Sequence, residues 1–170
     1  MKNYGVVRTD KMTGTKDPAA LVSVKYVNNK KDAEIENGHV VMLDGLYEGS
    51  REVYKGSDVA AGTDLSKVVL IASVETNYEA NFDKRLNNLD DFINEAGRIS
   101  RGFHFVPGNV FSVTKECLDG DPKQGAIVEL AAGTKLKAVT SATPSSTTVG
   151  VIEAVEVAGK YTYYVIRVGK

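Results

Sequence analysis

Short runs of β-branched and aromatic residues, separated by turns rich in Gly, Asn and Pro, recur along the whole chain of 170 residues. About ten of these runs have the length and composition of strands. The clearest two, residues 149–157 and 161–168, flank Ala158-Gly159-Lys160, and this spacing predicts a terminal hairpin. Residues 68–74 form the most apolar run and predict a central strand buried on both faces. The sequence therefore predicts a mainly β fold, a sandwich or a barrel-like domain.

One stretch has a helical period. In residues 85–96, Leu86, Leu89, Phe92 and Ile93 recur at a spacing close to 3.6, and polar residues lie between them. Gly97 follows at the position where a glycine commonly ends a helix. The pattern predicts one short helix, or a helical turn within a long loop.

Composition narrows the possible functions. Hydrophobic residues make up 42% of the chain and charged residues 25%, which is typical of a globular domain with its own core. No apolar run approaches the roughly 20 residues of a membrane span, so we expect no membrane partner. A single cysteine, Cys117, excludes a Cys-based zinc site, and only His39 and His104 are available for histidine chemistry. We therefore expect no catalytic site, no cofactor and no metal.

The acidic residues of the helical stretch allow two interpretations. On a helix, Asp90, Asp91 and Glu95 would share a polar face, where carboxylates could hold a hard cation. A face exposed to solvent is the more common role of such residues. His104, which lies between two phenylalanines in a predicted strand, is expected to face solvent or an interface.

The first 18 residues differ from the rest of the chain. They contain few large apolar residues, so we expect residues 1–18 to be an extended, mobile arm and residues 19–170 to be the β-rich domain. On this expectation, deleting residues 1–16 would leave thermal unfolding of the domain nearly unchanged. Residues 1–31 carry seven basic and two acidic side chains, whereas residues 32–95 carry five basic and fourteen acidic ones.

This charge distribution also has two interpretations. The arm could dock on an acidic surface of a partner through Lys2, Tyr4, Arg8, Lys11 and Lys16. Alternatively, the basic and acidic parts of the chain face each other or the solvent. An isoelectric point near 6.1 argues against a nucleic-acid partner.

The order of the strand and turn patterns from about residue 20 to residue 168 resembles a known family. The stretches that carry the resemblance are residues 35–43 (IENGHVVML), 51–54, 70–75 (LIASVE), 92–98 with Arg101-Gly102-Phe103, 108–114 (GNVFSVT), 125–130 and 148–153. Together they resemble the head decoration proteins of tailed bacteriophages, also called capsid auxiliary or cement proteins.

This resemblance implies a β-rich virion protein that is assembled in the host cytoplasm. It would bind the exterior of the phage head, bridge subunits of the major capsid protein and stabilise the shell. Proteins of this kind often sit at symmetry axes, and a homotrimer is therefore expected on the capsid. Its interface would be formed by Tyr161, Tyr163 and Tyr164 of the terminal hairpin. Two alternatives stay open: a tail or head–tail joining component, and a carbohydrate-binding or enzymatic β domain.

Overall fold

The computed structural model describes residues 3–76 and 88–169, and the fold within them is mainly β, as the sequence predicts. Twelve strands are present in this part of the chain. They are β1 (Leu21–Asn28), β2 (Lys31–Asp32), β3 (Val40–Leu46), β4 (Val53–Ser57), β5 (Val68–Ile71), β6 (Ser100–His104), β7 (Val110–Val113), β8 (Leu118–Gly120), β9 (Ile127–Leu130), β10 (Leu136–Val139), β11 (Thr148–Ala158) and β12 (Tyr161–Val168).

The strands form two sheets of six. In the first sheet the order is β2-β1-β4-β3-β5-β6, and β6 also pairs with β1. This last pairing closes β1, β4, β3, β5 and β6 into a five-stranded barrel. In the second sheet the order is β7-β12-β11-β9-β10-β8, and the sheet curls into a half-barrel.

Two clusters of buried side chains form the core. One lies inside the barrel, and the other is shared between the barrel and the second sheet. Strand β5 contributes to both, because Val69 and Ile71 belong to the barrel cluster while Val68 and Leu70 belong to the shared cluster. Each of these four side chains is at most 1% exposed, so the predicted strand buried on both faces is confirmed for residues 68–71. Residues 72–74 of the predicted run lie beyond the end of the strand.

The barrel is narrow, and one glycine shows how little space it leaves. A Cβ added at Gly56 of β4 would lie 2.7 Å from Val24 Cγ1 and 3.1 Å from Val41 Cγ2. Contacts this short would force the wall of the barrel apart. The interior is therefore filled by side chains of the cluster and leaves no space for a ligand at this level.

Helical structure among the described residues is limited to single 3-10 turns: Thr9–Lys11, Pro18–Ala20, Leu65–Lys67, Leu89–Asp91 and Lys115–Cys117. Of the two alternatives predicted for residues 85–96, a short helix or a helical turn, the described residues show a turn, Leu89–Asp91, and residues 85–87 lie outside the described part. Asn94 explains why the turn does not continue. Its backbone N–H and C=O both bond to Ile35 in an isolated β-bridge, so they are unavailable for helical bonds.

Candidate functional site

The N-terminal segment, residues 3–20, packs against the second sheet. Val7 forms an isolated β-bridge with Val113, and the N–H of Thr114 donates to the carbonyl of Val6 over 3.0 Å. Val6 and Val7 are 1% and 2% exposed, and Val7 belongs to the shared core cluster. Residues 1–18 were expected to form an extended, mobile arm, whereas Val6 and Val7 are buried in the folded chain.

Two basic residues of this segment contact the terminal hairpin. The carboxylate of Glu156 lies 3.1 Å from the Arg8 guanidinium and 3.7 Å from Lys11 Nζ. Arg8 also pairs with Asp10 and lies 5.7 Å from the ring centroid of Tyr163, within the range of a cation–π contact. For Arg8 and Lys11, the structure thus agrees with the interpretation in which basic and acidic parts of the chain face each other.

The other residues proposed for the arm have different surroundings. Tyr4 donates its backbone N–H to the carbonyl of Asp90, which places it against the turn at residues 89–91. Lys16 is exposed. Lys2 lies outside the described residues. Of the proposed set, Arg8 and Lys11 thus contact Glu156 within the chain, whereas Lys16 stays exposed.

The three hairpin tyrosines are engaged within the chain. Tyr161 Oη donates to Asp90 Oδ1 over 2.9 Å and accepts the backbone N–H of Leu89. Tyr163 is 3% exposed, and Tyr164 packs against the shared core. A buried Tyr163 cannot meet a second copy, so an oligomer interface that includes its side chain is incompatible with this packing.

Asp90 is the point where the hairpin turn and the 89–91 turn meet. Lys160 Nζ lies 2.8 Å from Asp90 Oδ1, and Tyr161 bonds to the same oxygen. Burial opposes ionisation, but these hydrogen bonds outweigh it and hold the pKa of Asp90 below the usual range of an aspartate. The carboxylate therefore has a structural role in joining the two turns.

The proposed carboxylate cluster does not form a cation site. Asp91 accepts a hydrogen bond from Asn88, and Glu95 pairs with Arg98. Among residues 3–76 and 88–169, no group of three or more His, Cys, Asp or Glu side chains is placed to hold a metal ion.

His39 and Cys117 have separate partners within the chain, and Cys117 Sγ lies 3.4 Å from the carbonyl oxygen of Asn37. His39 Nδ1 is hydrogen bonded to Thr134 Oγ1 at 2.9 Å, whereas its Nε2 is 3.8 Å from Glu36 Oε2 and has no hydrogen-bond partner. Cys117 is fully buried, and burial raises the pKa of its thiol to about 12. A thiol with such a pKa is protonated at neutral pH and is a poor nucleophile. His104, in β6, is half-buried.

Two adjoining depressions mark one end of the barrel. They have volumes of about 520 Å³ and 300 Å³ and share Ser73, Val74 and Ile99. Val74 is 49% and Ile99 57% exposed, which is high for apolar side chains of this size. Phe92, the aromatic residue among the described residues that line the larger depression, is buried, so its ring is not open for stacking a sugar.

A second exposed apolar surface lies on the terminal hairpin. Val155 is 44% and Val157 75% exposed, and the two lie on the same face of β11 at alternate positions.

Comparisons with protein-family models, curated proteins and solved structures found no match. No helix in the described residues is long and apolar enough to span a membrane.

The hairpin itself was predictable from its two β-branched runs, but the barrel surface was not. Val74 and Ile99 belong to runs that are typical of buried strands, and nothing in either run indicates exposure. Both residues lie just beyond strand ends, Val74 three positions after β5 and Ile99 one position before β6. Val74 and Ile99 are exposed because the strands end before they reach these residues. The alternation of apolar and polar residues in the sequence does not define where a strand ends.

Proposed function

We propose that this protein is a structural component of a tailed-phage virion that binds the exterior of the assembled head and bridges capsid subunits. The observation that carries the proposal is the presence of two exposed apolar surfaces on different sheets. Val74 and Ile99 lie at the end of the barrel, and Val155 and Val157 lie on the half-barrel hairpin. A bridging protein needs at least two contact surfaces, and exposed apolar patches commonly mark them.

The barrel surface is the one that we assign to the capsid. Its apolar pair is flanked by Lys25, Arg98 and Arg101, which line the two depressions. An apolar centre within a charged rim is the usual arrangement of a protein–protein interface. The resemblance of the strand and turn patterns to head decoration proteins supports a capsid protein as the partner.

Stabilisation of the shell follows from mass action. A protein that binds the assembled lattice but not its separate subunits shifts the equilibrium toward the lattice. Repetition of a weak contact by the symmetry of the head multiplies this effect without a strong individual site. The proposed role therefore requires geometry and not a catalytic group.

Heads assembled without this protein provide the test. Purified protein is incubated with them and the particles are imaged by electron cryomicroscopy. We expect regular density on the head exterior and a higher temperature of head rupture. Density confined to the tail or to the head–tail junction would instead support a joining component, and heads without density would contradict binding.

Two surface variants locate the contact. Ile99→Asp places a charge at the centre of the barrel surface and should abolish decoration. Leu46→Asp is the matched control, because Leu46 is 52% exposed on β3 and does not line either depression. Both variants should unfold close to the temperature of the unmodified chain. Equal decoration by both variants would contradict the assignment of the barrel surface.

A further inference from the structure

The outer edge of β11 is paired along only half of its length. On this side the ladder with β9 covers Thr148–Val151, and the last backbone bonds join Ile152 to Ala126 and to Gly125. The side chain of Gln124 then donates to the carbonyl of Glu153. Beyond this point, in the described part of the chain, residues 154–158 pair with β12 alone.

The hairpin register indicates which backbone groups this edge presents. Ala158 and Tyr161 close the two-residue turn Gly159–Lys160, and the closing pair of such a turn exchanges both of its hydrogen bonds. Because bonded and non-bonded pairs alternate, Glu156 and Ala154 also bond to β12. The N–H and C=O groups of Val155 and Val157 therefore point away from the hairpin.

Among the described residues, this edge has little protection from pairing, and its one charged side chain is Glu156. Natural edge strands are usually blocked by proline, by charged side chains such as lysine, by a bulge or by a covering segment. Residues 154–158 read Ala-Val-Glu-Val-Ala, and the bulge of β11 lies before them, between Ile152 and Ala154. The exposed edge is five residues long and apolar at alternate positions.

We propose that this edge pairs with the same edge of a second copy of the chain, antiparallel about a two-fold axis at Glu156. Val155 and Val157 are symmetric about Glu156, so each would exchange two main-chain hydrogen bonds with the other residue of the second copy. Four hydrogen bonds would form, and the exposed valines would continue one apolar face across the axis. The capsid proposal is not needed for this inference, because the test uses the isolated protein.

The symmetric sequence of this edge, Ala-Val-Glu-Val-Ala, makes a second copy of this chain a suitable occupant, and the charge at its centre is balanced within each chain. A two-fold axis at Glu156 brings two carboxylates opposite each other, which is normally destabilising. Here each carboxylate already contacts Arg8 at 3.1 Å and Lys11 at 3.7 Å within its own chain. The N-terminal segment thus supplies the cations that allow the two glutamates to approach.

The symmetry of this contact is two-fold, unlike the three-fold contact expected from the sequence, and it uses the backbone of the hairpin instead of its tyrosine side chains. A pairing of two five-residue edges buries less than the roughly 1,000 Å² of a stable interface, so the isolated dimer is expected to be weak and concentration-dependent. Copies held side by side on a shared surface would pair more readily.

Disulfide trapping tests the axis directly. Glu156→Cys places two thiols opposite each other, at a Cα separation of about 4.5 Å that suits a disulfide. The native Cys117 is fully buried, so the introduced thiol is the accessible one. Mild oxidation of a concentrated sample should give a covalent dimer. Thr162→Cys is the matched control, because Thr162 is exposed on β12 and lies opposite Val157, away from the edge.

A backbone variant separates edge pairing from random collision. Val155→Pro removes an N–H that points away from β12 and leaves the hairpin ladder intact. Because each copy loses one bond, sedimentation equilibrium should show dimerisation about thirtyfold weaker than in the unmodified chain. Equal trapping of Glu156→Cys and Thr162→Cys would overturn the proposal. The proposal would also be overturned if the unmodified chain stayed monomeric at millimolar concentration. This holds even if the edge were then found to bind a strand of another protein.

Discussion

The guanidinium of Arg8 lies 3.1 Å from the carboxylate of Glu156, across 148 positions of sequence. This pair, together with Lys11, holds the N-terminal segment on the outer face of the terminal hairpin. The segment was expected to reach toward a partner with these cations. In the folded chain these cations instead contact an acidic residue of the hairpin. The same contact balances the charge of Glu156 at the proposed two-fold axis.

Replacing Arg8 should weaken the attachment of the segment. Arg8→Ala removes the contact with Glu156 and the cation–π contact with Tyr163, and the Arg8 side chain is only 19% exposed. We expect the free energy of unfolding to fall by about 1 to 2 kcal/mol, measured by urea denaturation. Lys16→Ala, at an exposed position, is the control and should change it by less than about 0.5 kcal/mol. Identical midpoints for the two variants would show that the Arg8 contacts contribute nothing.

Deleting residues 1–7 should destabilise the chain strongly, in contrast to the expectation from sequence that the first 16 residues are dispensable for stability. Val6 and Val7 are almost fully buried, and their removal also leaves the backbone of Thr114 without its partner. We expect a loss of about 3 to 5 kcal/mol in the free energy of unfolding. Deleting only residues 1–3 is the control. An unchanged unfolding temperature for the longer deletion would mean that the segment is not part of the core in solution.

Local sequence patterns predicted the strands better than the contacts between distant parts. The two runs of the terminal hairpin and the fully apolar β5 follow directly from composition and alternation. Closure of the barrel depends on the pairing of β1 with β6, in which Val24 is the partner of Ser100, and no local pattern specifies such a pairing. Val6 and Val7 were missed for a related reason. A pair of valines in a polar segment has no periodicity, and its burial depends on the neighbouring strand β7.

Acidification should destabilise the fold through His39. Burial is the largest cause that lowers its pKa, and Lys135 lowers it further, whereas Glu36 and Asp119 act in the opposite direction. In the unfolded chain His39 takes up a proton near pH 6.5, whereas in the folded chain it does so only at a lower pH. The contribution of neutral His39 to the free energy of unfolding is therefore fully present above about pH 6.5 and is lost as the pH falls. Urea midpoints should therefore decrease from about pH 7.5 to 5.5, and His39→Gln should reduce the decrease. The same decrease in both proteins would assign the pH dependence to other groups.

The residues that bear chemical groups were easier to find in the sequence than to interpret. Both histidines, the cysteine and the acidic cluster stand out by residue type. Their roles depend on partners far away in sequence, as when Asp90 meets Lys160 and Tyr161. Such partners depend on how distant parts of the chain pack together, and this packing cannot be derived from the local patterns of a single sequence.

The packing around Cys117 gives a final prediction, in which steric overlap and backbone strain can be separated. Gly38 has a φ of +81°, and a Cβ added there would lie 2.3 Å from the Sγ of Cys117. Gly45 has a similar φ of +75°, but a Cβ added there meets nothing within 4 Å. Gly45→Ala should therefore report the cost of the left-handed backbone alone, about 1 to 2 kcal/mol in the free energy of unfolding. Gly38→Ala should cost about 1 to 3 kcal/mol more, because the overlap is added to the strain.

The reactivity of Cys117 toward a thiol reagent gives a second measurement of the overlap. Cys117 should be unreactive in the unmodified chain and in Gly45→Ala, and should become reactive in Gly38→Ala as its surroundings are displaced. Equal destabilisation by the two alanines, with Cys117 protected in both, would show that the site accommodates the extra methyl group.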